Sequence, residues 1–363
     1  MSSNRTSPAI LCACIRSVQK GSVNSPKPRT TATDNAVHEY DECINPPEST
    51  LPAPLDVPAR EPGQNYLIWL LKVGKVYLTF YKTGWRNIRA NRKTVTSLSQ
   101  EWGVKKPTLQ FRLKSWSRPL PGGKSTPLYD VHWGETRAER HLLTRERAAT
   151  RRLPLFVILF IVFGEWFPII FLYATPIIPL PCRLPWQIRK QRQKIEDRRL
   201  KSFRGVYGKV PSPELLKGAT SEIVAKESHG ERLATVRTSQ LDPEVFNHIA
   251  RSCNLYPRMF DLPVLNVLKN FYNVPDRCWM YLEYLHDDDV QLFDAGYNSM
   301  VTPQKLRDEE VRLAAIDRGI DVVGRPVADI RKDLGMWLAL TVKASNEQRE
   351  RGILTLVERL LVR

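Results

Sequence analysis

No aspartate or glutamate occurs before Asp34, no C-x-x-C pair occurs anywhere, and from Leu153 to Leu180 only Glu165 carries a readily ionisable side chain. Each shortage excludes something. Cys12, Cys14, Cys43, Cys182, Cys253 and Cys278 are scattered, so they build neither a disulfide framework nor a zinc site and read as reduced or buried thiols. His38, His132, His141, His229, His248 and His286 stand at no metal or triad spacing. G-x-S-x-G, H-E-x-x-H and a Gly-rich nucleotide loop are missing, so neither enzymatic activity nor a cofactor is expected. Gly122-Gly123-Lys124-Ser125 lacks the upstream glycine that lets backbone amides cradle a phosphate. Asp287-Asp288-Asp289 and Asp294-Ala295-Gly296 suggest a calcium loop at first sight, but no glutamate stands where a bidentate ligand is required. The expectation there is an exposed acidic turn.

What is present is an unevenly placed positive charge. The formal net charge is +17; residues 60–152 hold +14 and residues 183–209 hold +8, while the remaining blocks are each slightly negative. The excess brackets the uncharged run on both sides. Charge crowded at the flanks of an apolar run suits anionic lipid headgroups, worth about 1 kcal/mol per basic side chain near the surface. RNA is an alternative partner of the 60–152 block.

Residues 153–180 exceed the ~20 apolar residues that a helix needs to cross a ~30 Å hydrocarbon core. They are therefore expected to span a membrane, within a segment taken as residues 143–182. Arg151 and Arg152 precede the run and Arg183, Arg189, Lys190 and Arg192 follow it, so charge alone does not orient it. Pro168 is expected to kink the helix, and Pro176, Pro179 and Pro181 to end it. A re-entrant hairpin turning at Pro168 is the alternative. A carboxylate in lipid is costly. Glu165 is read either as a proton or cation relay, or as a protonated group bonded to the carbonyl that Pro168 frees.

Residues 1–45, acid-free before Asp34 and containing Arg and Ser, have the composition of a mitochondrial targeting segment. Residues 46–64, with Pro46, Pro47, Pro52, Pro54, Pro58 and Pro62, read as an unfolded linker. Residues 65–142 form a basic, membrane-proximal region. Its first part, to Asn91, reads as an amphipathic helix resting on the membrane, with Tyr and Trp at the interface and lysines that snorkel. Residues 94–140 contain strand- and turn-like pieces without assignment, and Glu135–Arg152 reads as a polar helix leading into the span.

Residues 183–363 read as a helical domain, giving an all-α chain with a single transmembrane helix before it. Residues 188–203 are expected to continue outward from the membrane as a charged helix. Asp242-Pro243-Glu244 marks a helix start, Pro being suited to the first helical position. Leu262, Leu265, Val267 and Leu268 suggest a helix; Trp279, Tyr281, Leu282, Tyr284 and Leu285 another. Thr302 opens a helix that carries Leu306, Val311 and Ala314 and stops at Gly319. Val327, Ile330, Leu334, Trp337, Leu338 and Leu340 mark the next, and Ser345–Arg363 a last short one.

The spacing of Leu306, Val311, Ala314, Ala315, Arg318, Gly319, Gly324, Ile330, Arg331, Leu334, Trp337 and Leu338 resembles the closing helices of the Letm-type ribosome-binding domain. Leu143-Thr144-Arg145-Glu146-Arg147, followed by a Pro-containing apolar run bearing Glu165, is similar to the membrane segment of the same family, the leucine-zipper, EF-hand-containing transmembrane proteins. Neither an EF-hand nor a long coiled coil is present, which makes the chain resemble a short, divergent member. The resemblance implies an inner-mitochondrial-membrane protein whose C-terminal domain faces the matrix and binds mitochondrial ribosomes, supporting membrane-protein insertion and ion and volume homeostasis. The candidate contacts are Lys305, Arg307, Arg312, Arg318, Arg325, Arg331 and Lys332, each equally readable as ordinary solvated surface. The alternative function is a K⁺/H⁺ or other cation/proton exchanger, for which one span per chain requires a homo-oligomer.

Overall fold

The computed structural model describes residues 40–101, 136–163, 177–207, 243–265, 274–294, 301–347, 355–357 and 359–361. Among these residues every regular element is helical and no strand occurs, so the chain is all-α. Two compact units are present, one holding Glu42–Ile188 and the other Arg189–Arg363.

The first unit is built on helices α1 (Tyr66–Glu101) and α2 (Arg137–Phe163). Helix α2 opens with a reciprocal cap. The Thr136 backbone N–H donates to Glu139 Oε2 at 2.9 Å, and the Glu139 backbone N–H donates to Thr136 Oγ1 at 3.3 Å. This Thr-x-x-Glu pattern satisfies two donors that a helix start leaves without partners. The two helices pack antiparallel: Val95 and Leu98 of α1 cluster with Leu142, while Ile88 and Tyr81 cluster with Ala149, Leu153 and Phe156.

Helix α1 runs 36 residues, ten beyond Asn91. Residues 94–101 are therefore helical, against the expectation of strand- and turn-like pieces. The hydroxyls of Thr94, Thr96, Ser97 and Ser99 donate to the carbonyls of Ala90, Arg92, Lys93 and Val95, four residues earlier. Their polar groups are thus absorbed by the helix, and packing of Val95 and Leu98 outweighs local preference. Residues 102–135 lie outside the described residues.

The proline-rich stretch is not a free linker at its beginning. Ile44 and Thr50 are each 1% exposed. The Cys43 carbonyl accepts from Ala138 N–H at 3.0 Å, and the Ile44 carbonyl accepts from Arg137 Nη1 at 2.6 Å. Asn91 Nδ2 donates to the Ser49 carbonyl at 2.9 Å and Arg145 Nη1 to Thr50 Oγ1 at 3.0 Å. Pro47 leads into a short 3-10 turn, Glu48–Thr50, and this turn and the residues just before it supply acceptors that α1 and α2 use. Cys43 is disulfide-bonded, where a thiol was expected.

Gly84 marks a close approach. A Cβ there would lie 2.7 Å from the Pro181 carbonyl oxygen and 2.8 Å from Cys182 Sγ. The 3-10 turn Leu180–Cys182 can sit on α1 because that position has no side chain.

Helix α2 is continuous from its polar start through Pro154 into Phe163, so the polar lead and the first apolar residues form one helix, as expected of the lead. Residues 164–176, with Glu165, Pro168 and Pro176, lie outside the described residues. Among the described residues no helix is long and apolar enough to cross a membrane.

The second unit takes in α3 (Pro185–Tyr207) from Arg189 onward, then α4 (Pro243–Ser252), α5 (Val274–Asp294), α6 (Thr302–Lys305), α7 (Asp308–Asp317) and α8 (Val327–Glu347). Helix α8 is its centre, packing on α5, α6 and α7, while α4 packs on α5. Ile330, Leu334, Trp337 and Leu338 supply the buried face of α8, as expected, but Leu340 is exposed. Pro243 does open α4.

Three expectations are corrected. Leu262 and Leu265 lie in or beside the short 3-10 turns Arg258–Asp261 and Pro263–Leu265 instead of an α-helix, and Leu262 and Val264 are exposed. The helix opened by Thr302 is two helices, α6 and α7, because Leu306 takes an extended conformation (φ −81°, ψ 144°) that buries its side chain. Helix α3 does not simply lead away from a membrane. Its inner face is enclosed in the second unit through Glu196, Arg198, Arg199, Ser202 and Phe203.

Two arginines pin α3. Arg198 reaches Asp261 at 2.8 Å, Asn254 Oδ1 at 2.7 Å and the Tyr256 carbonyl at 2.9 Å, with its guanidinium 4.4 Å from the Tyr256 ring centroid. Burial works against the charge of Asp261, but the Arg198 hydrogen bond and the Tyr256 hydroxyl outweigh it and hold its pKa below the ordinary value. Arg199 donates to Glu196 at 2.7 Å and to the Gly319 carbonyl at 2.8 Å, just past the C-terminus of α7. That terminus closes at Gly319 (φ +74°), as the sequence predicts: Gly319 N–H bonds to the Ile316 carbonyl and Ile320 N–H to the Ala315 carbonyl.

Candidate functional site

The cations picked from the sequence cluster on α6, α7, α8 and the turns between them, and most are engaged inside the fold. Arg318 is the clearest case, with a side chain fully enclosed. Its Nε and Nη2 both donate to Asp289 Oδ1, at 2.8 and 2.5 Å; Nη2 also donates to Asp288 Oδ2 at 2.7 Å, and Nη1 to the Ala314 carbonyl at 3.0 Å. Trp337 Nε1 donates to the other oxygen of Asp289 at 3.0 Å. Burial alone would lower the arginine pKa, but the carboxylates of Asp289 and Asp288 more than reverse that and raise it. One buried group therefore ties α5, α7 and α8 together. The surface role expected of Arg318 is corrected: its guanidinium reaches no solvent.

The expected exposed acidic turn is corrected with it, since Asp287–Asp289 lie inside α5 and Asp288 and Asp289 are buried. A signal for this stood in the sequence. Cys278, Leu282, Leu285 and Leu292 are fully buried, and Asp289 falls in step with them, at the place in the stripe where another apolar side chain would sit.

Arg331 is also buried. It donates to the carbonyls of Leu306, at 2.9 Å, and of Pro303, and pairs with Asp308 at 2.6 Å. It thereby satisfies carbonyls freed where the chain breaks between α6 and α7. Arg325 pairs with Asp333 at 2.7 Å and donates to the Asp321 carbonyl at 3.1 Å. Arg312 lies 3.9 Å from Glu309 and 3.5 Å from the Arg325 carbonyl. Lys305 and Arg307 are half-buried and Lys332 is exposed. Glu165 lies outside the described residues, and the exchanger reading that rests on it stays an expectation.

The sequence analysis offered no residue of α3 as a ribosome contact, yet its outward face is the more uniform one. Arg189, Lys190, Lys194, Lys201 and Arg204 are exposed there, and among the described residues none of them has an ion pair or hydrogen bond. Lys190, Lys194, Asp197, Lys201 and Arg204 follow the four-three-four-three spacing of a single helix face. That spacing was available in the sequence; what was not available was which face α3 buries.

A second exposed surface lies on the first unit. Leu67, Ile68, Leu70, Leu71 and Leu78 of α1 and Leu155, Ile158, Ile161 and Val162 of α2 are exposed. Because the helices are antiparallel, these two sets share one end of the pair. Helix α1 carries seven basic residues and no acid before Glu101. No protein-family model, curated protein or solved structure matches the chain.

Proposed function

We propose that this is an inner-mitochondrial-membrane protein, with one transmembrane helix followed by a helical Letm-type ribosome-binding domain in the matrix that tethers mitochondrial ribosomes. In this reading it supports membrane-protein insertion and, through it, ion and volume homeostasis. The observation that carries the membrane part is the shared apolar end of α1 and α2. Soluble monomers rarely leave so many large apolar side chains together in water. The end is continuous in sequence with the uncharged run to Leu180 and is flanked by basic residues. The ribosome part is supported by the resemblance of the closing helices, whose shared positions are core and turn residues of one packed group.

The test has two parts. After alkaline carbonate washing of mitochondria the full chain is expected in the pellet, with a C-terminal tag protected from protease in mitoplasts. Detergent-solubilised chain is expected to co-sediment with mitochondrial ribosomes in a salt-labile manner. Release into the carbonate supernatant would sink the membrane anchor, and no co-sedimentation even at low salt would sink the tether.

A further inference from the structure

We propose that the outward face of α3 is an RNA-backbone contact, and that it, rather than the cations of α6–α8, is where the second unit would meet ribosomal RNA. The inference rests on the tethering reading above and names its surface. Lys190, Lys194, Lys201 and Arg204, with Arg189 beside them, are exposed along one helix face without partners among the described residues. Asp197 is the only acid on that face, and Gln193 Nε2 holds it at 3.0 Å. From Lys190 to Arg204 the stripe runs about 21 Å at 1.5 Å per residue. A row of like charges this long matches a ligand whose own charges repeat.

Three occupants compete for such a row. Anionic headgroups attract any basic row, but a helix that seats stably on lipid also lowers an apolar face into it. Helix α3 has none to offer, because its other face is packed inside the second unit through Glu196, Arg199, Ser202 and Phe203. A protein interface would be built on apolar or aromatic anchors, with lysine depleted. The stripe is rich in lysine and has no anchor. A polynucleotide needs neither, since neutralising phosphates with Lys and Arg supplies affinity without apolar burial. The contrast with the cations of α6–α8 is energetic. Arg318, Arg331 and Arg325 would have to leave carboxylates within 2.7 Å to meet a phosphate, whereas the α3 cations leave only water.

The full chain in phosphatidylcholine nanodiscs is titrated with single-stranded oligouridylate, with mitochondrial ribosomes and with cardiolipin-containing vesicles over a range of salt. Native protein is compared with Lys190→Gln, Lys194→Gln and Lys201→Gln combined; all three sites are exposed, and the melting temperature serves as the folding control. The native chain is expected to bind oligouridylate with a log–log salt slope of about −3, and the triple variant to flatten that slope by about 2 and weaken ribosome binding in parallel. Ribosome binding equal in both proteins overturns the RNA face and leaves tethering intact. Stripe-dependent RNA binding without ribosome binding upholds the face and overturns tethering. Stripe-dependent binding to the vesicles alone overturns the inference in favour of a lipid surface, and binding to no probe overturns both readings.

Discussion

Removing the guanidinium of Arg318 takes from the buried Asp288 and Asp289 the cation that both of them bind. Breaking a buried pair from one side costs about 3–5 kcal/mol. Arg318→Met is therefore expected to destabilise the second unit by that order, read as a lower denaturation midpoint of the solubilised chain. Lys332→Met, at an exposed site a few residues along α8, should stay within about 0.5 kcal/mol of the native protein. Equal stability of the two variants would refute the buried hub. His248 gives a pH signature. Its ring is enclosed between Ser202 Oγ, at 2.9 Å from Nδ1, and Ser252 Oγ, at 3.4 Å from Nε2, and burial pushes its pKa down to about 4. A depressed histidine pKa means the unfolded chain binds the proton more readily. Stability is therefore full above the ordinary value of about 6.5 and falls as pH drops from there towards 4, by up to about 3 kcal/mol. His248→Gln should remove that part of the acid sensitivity; an unchanged pH profile would show that the ring is not held neutral.

Helix α1 keeps its place against the first unit's 3-10 turn through a missing side chain. Gly84→Leu puts a Cβ within 2.8 Å of Pro181 and Cys182, where backbone must move to admit it. Loss of about 1–3 kcal/mol is expected from such overpacking, seen as faster proteolysis of the first unit. Gly74→Ala, with open space around it, should be neutral or slightly stabilising by the same assay. Legibility differs between elements for a common reason. Helix α8 was readable because Ile330, Leu334 and Trp337 repeat at helical spacing and are all buried. The Gly319 stop was readable because its turn is a local demand on one residue. The C-terminal end of α1 was not, since its Thr and Ser side chains suggest other structure until they are seen bonded to their own helix. Nor were the buried arginines: Arg318 and Arg331 carry the same charge as Lys332, and only the partners brought to them from 23 to 30 residues away decide which of the three meets water.

At the scale of the whole molecule, the two units divide the chemistry. The first gathers large apolar side chains at one end of a helix pair, and the second hides several of its charges while leaving the basic row of α3 exposed. If lipid covers that apolar end, an environment-sensitive fluorophore on Leu71→Cys or Leu78→Cys should shift to the blue when the full chain enters liposomes. The same probe on Arg189→Cys, exposed on α3, should not shift. Water-like emission from all three sites would exclude a lipid cover for α1.

The buried hub also sets an order of assembly. Asp288 is synthesised 30 residues before the arginine that neutralises it, and Trp337 comes later still. Until those arrive, α5 has two neighbouring anions on the side it must turn inward, and water holds them better than any apolar wall. A nascent chain halted before residue 318 therefore lacks the cation that lets this side of α5 turn inward, and packing of the part made first waits on a part made later.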